Sequence, residues 1–244
     1  MSLNRYGLVG KSLGHSFSKK FFTEKFEREK LNAVYDNFEL DEIHQILPLF
    51  QQPELKGLNV TIPYKSAVME YLDEINPEAQ SIGAVNTIVV RKGITTGYNT
   101  DAYGFQQSIK PFLRNVHERA LILGTGGAAK AVAYVLTNLG VDVAYLTRNP
   151  VGRNQFRYEE ANEYMMHAFK LVVNTTPIGT APNYDEMPDI PTNFFSPDHL
   201  VIDLIYNPKK TKFLLESQKS GADILNGYSM LQHQALKAWE LFNA

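Results

Sequence analysis

One short segment constrains this chain more than any other: Gly124-Thr125-Gly126-Gly127-Ala128-Ala129. An apolar run, Ala120 to Leu123, precedes it, and an alanine-rich stretch, Ala128 to Leu139, follows and is ended by Gly140. Alanine is the best helix former and glycine a frequent helix stop, so the segment reads as strand, glycine turn, helix. In that setting glycine lets backbone N–H groups approach a pyrophosphate, which also meets the positive end of the helix dipole. The bland alternative is a tight turn that binds nothing, and the strand-to-helix context argues against it. Further strands are expected at Val141 to Thr147, Leu171 to Asn174, Leu200 to Leu204 and Ala222 to Leu225. Helices are expected around Glu159 to Ala168 and Thr211 to Ser220. Strands alternating with helices argue a parallel sheet in an α/β unit.

This unit begins only near Glu118, so the residues before it need a core of their own, and 244 residues suffice for two modest domains. The upstream part also alternates. Tyr6 to Gly10, Ala33 to Leu40 and Leu58 to Ile62 read as strands, and Ser18 to Lys30 as a helix with Phe21, Phe22, Lys25 and Phe26 at helical spacing. Asp41 is placed to cap a helix carrying Ile43, Ile46, Leu47 and Phe50, and another helix is expected from about Tyr64. Ala84 to Val90 and Ile94 to Tyr98 flank the triplet Arg91-Lys92-Gly93 as the strands of a hairpin flank its turn, and Ala102 to Leu113 follows as a helix. Thr180 to Pro197, with four prolines, reads as a loop, and Tyr228 to Phe242 as a final helix with Leu231, Ala235, Ala238 and Phe242 on one face.

Composition removes several function classes. A formal net charge of -2 gives no global field for nucleic acid. With no cysteine there is no disulfide and no thiolate-held metal, and the six histidines form no ligand-spaced pair, so no metal site is expected. No run of about 18 apolar residues marks a membrane span. The opening Met-Ser-Leu-Asn-Arg-Tyr has no apolar signal region, so a cytoplasmic place is expected.

The type of cofactor can be read further along. A chain that takes NAD usually sets Asp or Glu about 20 residues past the glycine turn, at the end of the second strand. Here Leu146-Thr147-Arg148-Asn149 offers no carboxylate but an arginine, which suits a 2′-phosphate, with Arg153 at hand in the next loop. The reading is therefore NADP, against the alternative of Arg148 as a solvated surface charge.

Polar clusters crowd the strand ends of the first unit: Ser12 to Ser18, Asn59 to Lys65, Gly83 to Thr87 and Gly97 to Gly104. Hydroxyls, amides, one lysine and one aspartate in such places suit a polyhydroxylated acid, although each alone also serves as a cap or turn residue. If a bound nicotinamide passes hydride to a ketone, negative charge builds on the oxygen. Lys65 could donate a proton there or stabilise the charge, with Asp101 holding it or linking it to a proton relay. A structural Lys–Asp ion pair is the bland alternative.

Taken in order, Ser16-Phe17-Ser18, Asn59 to Lys65, Gly83 to Thr87, Gly97 to Gly104, Gly124 to Ala129, Asn174 to Gly179, Asp203 to Pro208 and Gly227 to Gln234 resemble the motifs of the shikimate dehydrogenase family across nearly the whole chain. The resemblance implies NADPH-dependent reduction of 3-dehydroshikimate to shikimate, in the pathway to chorismate and the aromatic amino acids. It implies catalytic roles for Lys65 and Asp101, and substrate contacts from Ser16, Ser18, Thr61, Asn86, Tyr206 and Gln234. It implies cofactor contacts from Gly124, Thr125, Gly126, Gly127, Ala128, Arg148, Thr175, Gly227 and Met230, and no metal. It also implies an N-terminal α/β substrate domain (1–103 and 228–244) and a Rossmann-like dinucleotide-binding domain (104–227). The active site is then expected in the cleft between them, with the C-terminal helix returning to the first domain. One departure is local: the family often shows Asn-Arg-Thr where this chain has Thr147-Arg148-Asn149.

The partners expected on this reading are a small-molecule substrate and NADP, with no nucleic acid and no membrane, in a monomer or homodimer. The nearest rival is an NAD-dependent quinate/shikimate dehydrogenase. A non-catalytic ligand sensor would be expected to lose Lys65 or Asp101, and both are present. A plain interaction module leaves the polar clusters unexplained. The Tyr206-x-x-x-Lys210 spelling of a short-chain dehydrogenase is interrupted by Pro208, which breaks the helix that pair needs.

Overall fold

The computed structural model describes residues 3–14 and 17–244, and the chain divides into two compact units, 1–100 with 235–244, and 101–234. Two helices, α4 (Thr100–Ile109) and α8 (Tyr228–Asn243), run through the points of division.

The first unit contains β1 (Asn4–Gly10), α1 (Phe17–Arg28), β2 (Ala33–Glu39), α2 (Leu47–Phe50), β3 (Leu55–Val60), β4 (Glu74–Ile75), α3 (Pro77–Ile82), β5 (Thr87–Arg91) and β6 (Ile94–Tyr98). Its six-stranded sheet runs β2-β1-β3-β5-β6-β4. β1 pairs in parallel with β2 on one side and β3 on the other, and β5 turns antiparallel to both β3 and β6. The chain therefore reverses direction across the sheet between β1 and β3, and the space beyond the carboxyl ends of these strands is where an open α/β sheet makes a crevice. Each face has its own apolar layer. One gathers Val9, Leu58, Val60, Val68 and Ile88, the other Tyr6, Leu8, Phe22, Phe26, Tyr35 and, from α8, Ala235, Ala238 and Phe242. The end of the last helix thus belongs to the first unit.

Two helices expected in this unit prove shorter. The one after Asp41 is a 3₁₀ turn, Ile43–Ile46, that leads into α2. Glu42 rather than Asp41 precedes it, and the Gln45 side chain accepts the N–H groups of Asp41 at 2.9 Å and Glu42 at 3.3 Å. The helix expected from Tyr64 is a 3₁₀ turn at Ala67–Tyr71.

The second unit contains β7 (Arg119–Leu123), α5 (Gly127–Asn138), β8 (Asp142–Leu146), β9 (Gln155–Phe156), α6 (Glu163–Ala168), β10 (Leu171–Asn174), β11 (Leu200–Asp203), α7 (Lys212–Lys219) and β12 (Asp223–Asn226). Its six strands are all parallel, in the order β12-β11-β10-β7-β8-β9. β7, β10 and β11 are buried along their lengths save for Arg119, as strands covered on both faces must be, and their apolar runs leave no alternation to read. The chain moves from β7 outward to β9, then returns to β10 on the other side of β7. The reversal lies between β7 and β10, beside the glycine turn. The helix expected over Glu159 to Ala168 divides into a 3₁₀ turn, Tyr158–Glu160, and α6, whose cap is Asn162 accepting from the Met165 N–H at 3.0 Å.

Candidate active site

In the first unit the candidate residues share one edge of the sheet. The chain leaving β3 runs beside that leaving β1: the Thr61 N–H donates to the Val9 carbonyl at 2.8 Å and the Lys11 N–H to the Ile62 carbonyl at 3.3 Å. Lys65 follows, half-buried, and its carbonyl accepts the Val85 N–H at 2.7 Å. Ser66 donates its hydroxyl to the Gly83 carbonyl at 3.0 Å, and Asn99 its amide to the Ala84 carbonyl at 2.8 Å. Lys65 is thus fixed by its backbone to the lead-in of β5.

Behind this edge lies a buried polar chain. The Ser18 hydroxyl, in the first turn of α1, hydrogen-bonds the Tyr35 phenol. Burial pushes that phenol's pKa up, and the Ser18 bond pulls it down, so Tyr35 stays neutral at any ordinary pH. The Tyr35 hydroxyl donates to Asn59 Oδ1 at 2.8 Å, and Asn59 Nδ2 donates to Thr87 Oγ1 at 3.1 Å. The Thr87 hydroxyl lies 3.2 Å from Asn86 Oδ1, which accepts the Thr100 N–H at 2.7 Å, while Asn86 Nδ2 donates to Thr100 Oγ1 at 3.0 Å. Asn86, 2% exposed, therefore holds the first residue of α4, and Asp101 is the next. Because a buried amide or hydroxyl costs free energy unless paired, such a chain admits few side-chain arrangements.

In the second unit the glycine turn lies at the sheet's reversal. Gly124 has φ +96°, open to glycine and strained for other residues, and a Cβ there would meet Thr175 Oγ1 at 3.1 Å and Thr176 Cγ2 at 3.0 Å. Thr175 sits across from it, its N–H and hydroxyl bound to the Leu123 carbonyl at 3.0 and 2.6 Å. Gly126 precedes α5, and no side chain caps that helix. Its N-terminus lies behind a cradle of Gly124, Thr125, Gly126, Gly127 and Ala128, an arrangement that fits a pyrophosphate. Arg148 follows β8, exposed and in no ion pair among the described residues, and so does Arg153. No carboxylate stands at positions 147–149 to select a free 2′-hydroxyl. The donor set fits NADP.

The same unit holds Asp101, Met230 and Gln234. α4 and α8 approach closely at Gly104, where a Cβ would meet the Met230 carbonyl at 2.6 Å and Gln234 Cβ at 3.0 Å. Gly104 lies one turn beyond Asp101 on the same side of α4. Met230 and Gln234 are buried, and Gln234 Nε2 donates to the Leu231 carbonyl at 3.1 Å. Tyr206, half-buried, follows β11, and Gly227 follows β12 with its N–H on the Ile205 carbonyl at 3.1 Å. A side chain at Gly227 would collide with Leu204. Ser16 lies outside the described residues. Among the described residues no group of three or more His, Asp or Glu is arranged to hold a metal ion, and no helix is long and apolar enough to cross a membrane. Tyr206 to Lys210 contains no helix, so the short-chain dehydrogenase pair is not formed.

Motif reading did not single out Tyr35, Asn59, Thr87 and Thr100, which support the named residues from behind. Asn59, Thr87 and Thr100 lie within the quoted motifs, but sequence carries no sign that their side chains meet.

The sequence profile described as the shikimate dehydrogenase substrate binding domain matches residues 8–88. A shikimate dehydrogenase (NADP(+)) of Clostridium beijerinckii is 38% identical over 249 residues, covering 97% of this chain and 91% of that protein. The crystal structure of shikimate dehydrogenase from Aquifex aeolicus superposes with a TM-score of 0.89 at 32% identity, covering 99% of this chain and 92% of that one. The Thermus thermophilus shikimate 5-dehydrogenase, solved in complex with NADP(H) and shikimate, gives a TM-score of 0.84 at 30% identity, covering 98% and 93%.

Proposed function

The chain belongs to the shikimate dehydrogenase family, and from that premise we propose that it is an NADP-dependent oxidoreductase acting on a CH–OH group, reversibly reducing 3-dehydroshikimate to shikimate. The observation that carries the reading furthest is the N-terminus of α5, without a side-chain cap, behind a positive-φ glycine at the reversal of a parallel sheet, with two exposed arginines nearby in sequence and no carboxylate where the ribose would be read. On this reading the first unit, with the end of α8, takes the substrate, and the second takes NADP.

The nicotinamide, when bound, supplies or accepts the hydride. The chain's residues do the rest. Lys65 Nζ meets the substrate oxygen as charge builds there, by proton donation or by electrostatic stabilisation. Asp101 holds that ammonium and connects it to a proton relay. Ser16, Ser18, Thr61, Asn86, Tyr206 and Gln234 hold the hydroxyl and carboxylate groups of the substrate and fix the reacting carbon in place. Thr175, Gly227 and Met230 shape the nicotinamide end of the cofactor site, and Arg148, helped by Arg153, takes the 2′-phosphate. The partners are small molecules, and the expected place is the cytoplasm, as a monomer or homodimer that sedimentation would distinguish.

The test is an absorbance assay at the nicotinamide band with shikimate or quinate and NADP⁺ or NAD⁺. Shikimate with NADP⁺ is expected to give the highest kcat/KM. Equal or better turnover with NAD⁺ would overturn the cofactor assignment, and preference for quinate the substrate assignment.

A further inference from the structure

The second unit holds a buried carboxylate to which the mechanism above gives no part. Asp203 ends β11, is 0% exposed, and has no cationic partner among the described residues. It accepts three hydrogen bonds: from Asn174 Nδ2 at 3.0 Å, from the Ile205 N–H at 3.1 Å and from the Thr211 hydroxyl at 2.6 Å. Its register partners on β10 and β12 are both amides, Asn174 and Asn226. Burial raises its pKa to about 6, against the pull of those three bonds, so a charge sits here at neutral pH without an ion pair to offset its desolvation. A group that costs stability in this way needs another reason to be present.

Two of the three bonds lead to segments that the cofactor reading uses, and the third to the helix that follows. Asn174 turns its other end to Thr176, accepting the Thr176 N–H at 3.0 Å and hydroxyl at 2.7 Å. Thr176 is the residue whose methyl group lies against Gly124, and its neighbour Thr175 is bound to Leu123. Ile205 begins the turn to Tyr206, and its carbonyl takes the Gly227 N–H. The Thr211 hydroxyl also accepts the Leu214 N–H at 3.3 Å and so caps α7. A carboxylate accepts from all three donors at once. An asparagine amide would turn an N–H toward one of them and reverse or break that bond.

We propose that Asp203 is a positioning residue for the dinucleotide: through Asn174 it holds the Thr175–Thr176 turn against the glycine turn, and through Ile205 and Thr211 it sets the loops that follow β11. The proposal rests on the family reading, because it takes the dinucleotide to lie at the Gly124 turn.

The test compares wild type with Asp203→Asn by calorimetric titration with NADP⁺ alone and by steady-state kinetics with shikimate. Asp203→Asn is expected to fold, to bind NADP⁺ about tenfold more weakly and to raise the KM for NADP⁺ by a similar factor, since small misplacements of positioning groups cost factors of this order. The KM for shikimate should change less than about twofold. A merely structural role would instead lower the active fraction and leave both KM values and the NADP⁺ affinity alone, which would overturn the proposal. If Asp203→Asn does not fold, Asn174→Ala cuts the same link at its far end, and retention of wild-type NADP⁺ affinity by that variant would overturn it equally. A wild type that binds no NADP⁺ would overturn the cofactor reading, and this inference with it.

Discussion

Lys65 and Asp203 show two ways in which a charged side chain enters this protein. Lys65 is half-buried at a sheet edge, its backbone pinned to Val85 and its head group assigned to the chemistry. Lys65→Ala should leave substrate affinity within a few-fold and lower kcat by about 10³, the middle of the range for general acid–base groups. Unchanged turnover in a steady-state assay would remove Lys65 from the mechanism. Asp203 is instead a charge held at a cost. Its folded pKa of about 6 lies above the ordinary 3.8, so the folded state binds a proton more tightly than the unfolded chain. Stability from this group is full below the unfolded value and is lost as pH rises through the window from 3.8 to about 6. The loss at neutral pH is on the order of 3 kcal/mol. Asp203→Asn should therefore melt above wild type at pH 7, with the gap closing as pH falls toward 4, as read by thermal unfolding across pH. A variant that melts below wild type at pH 7 would show that the lost carboxylate bonds outweigh the relieved charge. At this scale the sequence was only half legible. Lys65, Asp101 and the glycine turn stand in recognisable spellings, but the side-chain network behind them does not. Tyr35 meets Asn59 across 24 positions and Asn174 meets Asp203 across 29, and nothing local announces a contact that only the sheet register creates.

At the scale of elements, what could be read was what carries a period or a strong local signal. α5 was legible from alanine and glycine, α8 from its apolar face, and the hairpin of β5 and β6 from its glycine turn. β4 and β9, two residues each, carry no period at all, and neither was foreseen. α3, six residues, is too short for an apolar stripe. Its signals were chemical instead: Asn76 accepts the Glu78 N–H at 3.0 Å, Pro77 opens the helix, and Gly83 closes it at φ +70°. The strand–turn–helix of β7 and α5 is the element on which the cofactor reading stands. Gly124→Ala is expected to place a methyl group against Thr175 and Thr176 in a conformation strained for alanine, at a cost of about 1–3 kcal/mol. NADP⁺ affinity should fall at least about tenfold, with the melting temperature lowered as well. Wild-type affinity in a titration of this variant would mean that the turn is not where the pyrophosphate binds.

The two compact units draw on different stretches of chain, and that organisation makes a prediction about ligands. Leu121, Leu123, Val172, Val201 and Phe213 belong to one apolar cluster of the second unit, while the described members of two clusters in the first come from residues up to Tyr98 and from Ala235 onward. Cores built from different stretches of chain open by separate local events, and a ligand protects the amides of the unit whose folded form it binds. NADP⁺ is expected to slow hydrogen exchange along β7, β10 and the start of α5, and shikimate along β1, β3 and β5. At a free concentration of 100 times the dissociation constant, either ligand should add about 2.7 kcal/mol to the state it binds. α4 and α8 are the exception, because each is one helix spanning a point of division: Thr100 is bound by Asn86 while Gly104 is packed against Gln234. Both helices should therefore respond to either ligand. Exchange measured by mass spectrometry on wild type with NADP⁺, with shikimate and with both would check this. Protection of β1, β3 and β5 by NADP⁺ alone, to the same degree as β7 and β10, would contradict the assignment of one ligand to each unit.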